Sequence, residues 1–137
     1  MSLSGTISSD AKFAPDEIWS AEALPNATSK LSDVFMFGEI QDALEVVVLA
    51  NTNISIADTE RLAIELHGSA TRTGTFAKEA VLYDETADGD AIEFTAGDVI
   101  GILASNRGLS PFNKLNVICT GNESSEKIDA YIRSAMR

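Results

Sequence analysis

One cysteine, Cys119, and one histidine, His67, are all that the 137 residues hold of two common metal ligands. A single cysteine cannot close an internal disulfide. Two such side chains cannot fill a zinc site, which needs three or four ligands. No metal site and no cofactor is expected. A catalytic Cys–His dyad is arithmetically possible, but both residues lie in alternating apolar runs, which suits a buried inert thiol and a surface imidazole. Basic residues are also scarce: 10 Lys and Arg stand against 21 Asp and Glu, a net charge of −11. Binding a nucleic-acid backbone or an anionic membrane needs a basic footprint, and no Lys/Arg cluster exists in the sequence. Neither partner is expected. No stretch approaches the roughly 18 consecutive apolar residues of a membrane span. The first five residues offer neither a basic nor an apolar segment, so no secretory leader is expected, and Met1–Leu3 reads as an added leader outside the fold. Phosphate loops are missing too: Gly68-Ser69-Ala70-Thr71-Arg72-Thr73-Gly74 lacks the lysine and the following helix. There is no nucleophile elbow. Paired acids such as Glu60 and Glu65 carry little signal among so many carboxylates. The chain is not expected to be an enzyme, and a cupin-like site would need two or three histidines.

What is present is a single domain's worth of alternating strands. Residues 1–17 are mostly small and polar and read as an N-terminal arm; residues 18–137 read as one domain. Leu62, Ile64 and Leu66 alternate with Glu65 and His67. Leu115, Val117 and Cys119 fall on the inward positions of a second run, and Ile128, Ala130 and Ile132 on those of a third, with Asp129, Tyr131 and Arg133 outward. Such period-2 patterns mean one buried and one wet face. Turn residues at Asn51-Thr52-Asn53, Asp88-Gly89, Ala96-Gly97-Asp98, Ser110-Pro111 and Gly121-Asn122 punctuate the pattern. The spacing predicts an all-β fold, a sandwich or a barrel. Eight or nine strands are expected, near 17–23, 33–40, 44–50, 61–67, 79–84, 91–94, 98–104, 114–120 and 127–133. Residues 15–19 and 125–137 could also start or form short helices; strand is preferred for both. Asp84 to Asp90 carries the early positions of a calcium loop, but Thr95 stands where the closing bidentate Glu belongs. An acidic hairpin loop is the simpler expectation.

Two runs, Leu44–Ala50 and Val99–Ala104, are apolar on both faces and need cover on both. Val47, Leu49, Val99 and Leu103 are expected to face away from the core. Closed symmetry is the usual way to bury such a patch, which predicts a homodimer or homotrimer. Leu109 and Phe112 are large apolar groups on a predicted loop of turn formers, with Arg107 beside them. They read either as contact anchors or as a lid folded onto the end of the sandwich.

The order of Leu44-Glu45-Val46-Val47-Val48, Leu62-Ala63-Ile64-Glu65-Leu66, the small polar stretch Gly68–Gly74, Phe94-Thr95-Ala96-Gly97-Asp98, Leu115-Asn116-Val117 and Lys127-Ile128-Asp129-Ala130-Tyr131 resembles the small jelly-roll cement proteins of tailed bacteriophages. The likeness spans roughly residues 18–133; the longer lead and the acidic 84–90 loop depart from it. It implies an antiparallel β-sandwich of jelly-roll type and a structural virion protein, made in the bacterial cytoplasm, that decorates the capsid exterior, binds the major capsid protein and has no catalytic residues. Arg107, Leu109 and Phe112 are then the expected capsid contacts. The alternative is a jelly-roll module for a glycan or other ligand, for which one Trp and two Tyr are a thin supply.

Overall fold

The computed structural model describes residues 16–38 and 43–135. They form eleven strands and no helix: β1 (Asp16–Ala23), β2 (Asn26–Leu31), β3 (Phe35–Met36), β4 (Leu44–Ala50), β5 (Ile54–Ile56), β6 (Arg61–Ser69), β7 (Ala77–Thr86), β8 (Ile92–Phe94), β9 (Val99–Ala104), β10 (Phe112–Asn122) and β11 (Lys127–Ser134). One sheet has the order β9-β4-β11-β1. The other has the order β2-β10-β6-β7, with β3 also pairing with β10; β5 and β8 form a separate ribbon. Every pairing is antiparallel. Setting aside β3, β5 and β8, the eight principal strands fall in the orders 1-8-3-6 and 2-7-4-5. That is the jelly-roll arrangement of two facing Greek-key sheets.

The alternating residues meet as their spacing requires. Leu62, Ile64 and Leu66 of β6 and Leu115, Val117 and Cys119 of β10 face Val46, Val48 and Ala50 of β4 and Ile128, Ala130 and Ile132 of β11 in one core. Each fully buried Leu or Ile contributes about 1.5–3 kcal/mol through removal from water. Both segments with helical alternatives are strands, β1 and β11. In β11 Ile128, Ala130 and Ile132 alternate and a facing sheet rewards the alternation, while β1 is held by its ladder with β11.

Two strands escaped the sequence pattern. All six residues of β2 are exposed, so no hydrophobic period marks it; its ladder with β10 and the Lys30–Glu22 ion pair hold it. β5 has only three residues, with Ile54 and Ile56 buried. The expected strand at 33–40 shrinks to Phe35–Met36, and residues 39 and 40 lie outside the described residues. Of the expected arm, residues 1–15 lie outside as well, while Asp16 and Glu17 already belong to β1.

The neighbouring edges β1 and β2 each contain a non-glycine residue in the left-handed region, Ala21 (φ 50) and Ala27 (φ 55). Asp129 Oδ1 accepts the Ala21 N–H at 2.7 Å, and the β1–β11 register slips beside it. Bulged edges of this kind discourage strand addition. At the other side β9 lies close to β7. A Cβ at Gly101 would strike the Leu82 carbonyl, so the absence of a side chain lets the two sheet edges close.

Candidate interaction surfaces

The first expected surface is the outer face of β4 and β9. Register places Ile102 opposite Val47 and Leu103 opposite Val46; on its other side Val47 faces Tyr131. Val47 is completely buried, so it supports the face from beneath and is not itself available for contact. Leu49 is half-buried. Val99 and Ile102 are the exposed apolar residues, at 48% and 45% of full exposure. Leu103 does not belong to this face: it packs against the core. The reason is a register shift between Val99 and Gly101. Strict alternation from Val99 would send Leu103 outward; the irregularity resets the phase, sends Ile102 outward and turns Leu103 in. The Arg133–Glu45 ion pair at 2.5 Å flanks the face. Beside Leu49, a hollow of about 380 Å³ is lined by Glu17, Trp19, Asn51, Asp129 and Tyr131 among others. Asn51 Nδ2 donates to both Asp129 oxygens, at 3.1 and 3.2 Å.

The second expected surface is the loop ahead of β10, and here the lid reading describes the geometry. Leu109 is 7% exposed and lies in the core cluster, so it is not a contact anchor. Its neighbours explain the inward turn. Buried Asn113 accepts the Phe37 and Gly38 N–H groups at 3.1 and 2.8 Å and donates to the Ser110 carbonyl at 3.2 Å. Glu79 accepts the Ser110 N–H at 2.9 Å and its hydroxyl as well. Phe112 is not in the loop but opens β10, opposite Ser69 and Met36. It is half-buried, with the Arg72 guanidinium 5.6 Å above its ring. Arg107 is exposed at the turn.

A third feature gave little sign of itself in sequence. Glu65, on the outer face of β6, is only 6% exposed. Its Oε1 shares a hydrogen bond with His67 Nε2 at 3.0 Å and accepts from Asn116 Nδ2 at 3.4 Å; Lys78 Nζ lies 3.7 Å from Oε2. Burial works to raise this carboxyl. The His67 and Asn116 hydrogen bonds and the Lys78 charge outweigh it and hold the carboxyl below its ordinary value. The signal was Glu65 two residues from His67 on one strand face, but the cross-strand partners Asn116 and Lys78 depend on register.

Other pairings considered from sequence are not brought together. Cys119 faces the core and His67 the outside of the same sheet, and burial pushes the Cys119 thiol up. Glu60 lies beside Glu123, away from the partners of Glu65. In the 84–90 stretch, Asp84 pairs with Arg61 at 2.9 Å, and Glu85 accepts the Tyr83 hydroxyl at 2.8 Å. Among the described residues no group of three or more His, Cys, Asp or Glu is placed to hold a metal ion, and no helix is long and apolar enough to cross a membrane. No known protein family matches the chain, and no curated protein matches it.

Proposed function

We propose that the chain is a structural virion protein, a cement or decoration protein that binds the outside of a phage capsid as a homodimer or homotrimer and stabilises the shell. The observation that carries this reading is the exposed apolar pair Val99 and Ile102, on the outer face of a sheet whose inner face is already filled. A patch of this kind suits burial between copies. Several copies of one weak shell contact, joined in an oligomer, bind with high effective concentration. Arg107 and Phe112 with its Arg72 partner supply the contact to the major capsid protein, and Leu109 serves as the packed base beneath them. The test is to mix the purified protein with expanded capsids and sediment them. Phe112→Asp should weaken co-sedimentation by more than about 1 kcal/mol, as expected of a contact hot spot, while leaving association through the Val99–Ile102 face intact. Unchanged binding in both Phe112→Asp and a deletion of residues 1–15 refutes this attachment.

The hollow beside Leu49 favours a second reading, a glycan-binding module. Tyr131 offers a ring edge or face, and Asp129 and Asn51 offer hydrogen-bond groups of the kind that fix sugar hydroxyls. Glycan-array binding that Tyr131→Ala abolishes would favour it over the capsid reading.

A further inference from the structure

In a chain with twice as many acids as bases, the outer face of the five-stranded sheet carries a row of basic side chains. Lys114 on β10 stands opposite His67 on β6, and His67 stands opposite Lys78 on β7. The Lys114 ammonium lies 4.7 Å above the Phe76 ring, and the Arg72 guanidinium lies over Phe112 next to it. Met36, 58% exposed, completes the apolar part beside Phe112. The nearby acids answer His67 and Lys78 but not Arg72 or Lys114. Glu65 is buried beneath the row and touches His67 and Lys78, and Glu79 is held by Ser110. Arg72 and Lys114 have no carboxylate partner among the described residues.

At its far end β7 leads to the opposite chemistry. Lys78 and Thr86 are separated by roughly 25 Å at the usual strand rise. Beyond Thr86 come Asp88, Asp90 and Glu93, all exposed and without a basic partner among the described residues. The molecule therefore presents a basic, aromatic end and an acidic end along one strand.

We propose that the Arg72–Phe112–Phe76–Lys114 surface docks the acidic Asp88–Glu93 segment of a second copy of this chain, so that copies associate head to tail. The occupant follows from charge complementarity: both halves of the contact stand on one chain, and the net charge of −11 disfavours a nucleic acid on the same surface. At physiological ionic strength the Debye length of about 8 Å screens repulsion between whole molecules more than attraction between touching groups. Such a contact is heterologous, which yields a ring when its rotation closes and an open chain when it does not. It is distinct from the apolar Val99–Ile102 face, because charge contacts weaken with salt and apolar ones do not.

Sedimentation velocity on the full chain tests it. Self-association should weaken about tenfold between 50 and 500 mM NaCl. Arg72→Glu with Lys114→Glu should lose this salt-sensitive association, as should Asp88→Lys with Asp90→Lys; thermal melts check that both variants remain folded. An equimolar mixture of Arg72→Glu/Lys114→Glu with Asp88→Lys/Asp90→Lys keeps one wild-type end on each partner. The two altered ends carry opposite charges while each variant's self-contact carries like charges, so the mixture should regain an association that neither variant shows alone, with the two variants alternating. Self-association insensitive to salt and to both pairs of substitutions overturns the proposal, as does a mixture no more associated than its components. Neither outcome bears on the apolar Val99–Ile102 face, and capsid co-sedimentation is a separate readout of the Phe112 surface.

Discussion

A carboxylate at position 65 is kept charged under a sheet surface by three donors, and its removal should be costly. Glu65→Ala leaves His67, Asn116 and Lys78 facing an unfilled site and should lower stability by about 2 kcal/mol in urea unfolding. Glu65→Gln should cost less, because the amide oxygen still accepts. Glu123 behaves in the opposite way with pH. Burial, the Glu60 carboxyl beside it and the Glu126 charge push it up to about 7. The folded chain thus holds a proton that the unfolded chain releases near 4.5. This contribution is fully present below that lower value and disappears as pH rises through about 7. The urea midpoint should fall between pH 5 and pH 8, and Glu123→Gln should flatten the fall. For Glu65 the direction reverses: its stabilisation is present above the ordinary carboxylate value and is lost as pH drops through the depressed one.

At the level of elements, β9 is the informative strand. It closes against β7 only because position 101 has no side chain. Gly101→Val should therefore destabilise by about 2 kcal/mol through overpacking. The phase reset in β9 gives a paired test. Leu103→Asp places a charge against the core and should cost about 3 kcal/mol. Val99→Asp, on the outer face, should stay within about 0.5 kcal/mol when measured at a dilution where the chain is monomeric. Equal losses from the two substitutions would contradict the assigned orientation.

For the whole molecule, the outer apolar face predicts association. Light scattering at micromolar concentration should give a dimer or trimer, and Val99→Asp combined with Ile102→Asp should reduce it without unfolding the chain. A wild-type monomer would remove the ground for an apolar subunit interface. The face is small, since Val47 is filled in by Ile102 and Tyr131 as cross-strand neighbours and Leu103 is turned inward. Its affinity should accordingly be modest, and shell binding would depend on avidity.

Strand periodicity alone determined the class of this fold. Leu62, Ile64 and Leu66 alternate with Ala63 and Glu65, Leu115 and Val117 flank Asn116, and Ile128, Ala130 and Ile132 alternate with Asp129 and Tyr131; only a sheet buries that pattern on one side. Local sequence could not mark β2, whose six residues are all exposed and whose ladder is supplied by a strand some 85 residues later in the chain. Nor could it orient β9, where one register shift exchanges the roles of Ile102 and Leu103. Leu109 looked like a loop anchor because turn residues surround it; the buried amide of Asn113 folds that loop onto the core. Glu65 and the Lys114–His67–Lys78 row depend on which strands are neighbours and in what register. Alternation is a property of consecutive residues, whereas bulge phase and cross-strand neighbours are settled by long-range pairing, so only the tertiary structure decided them.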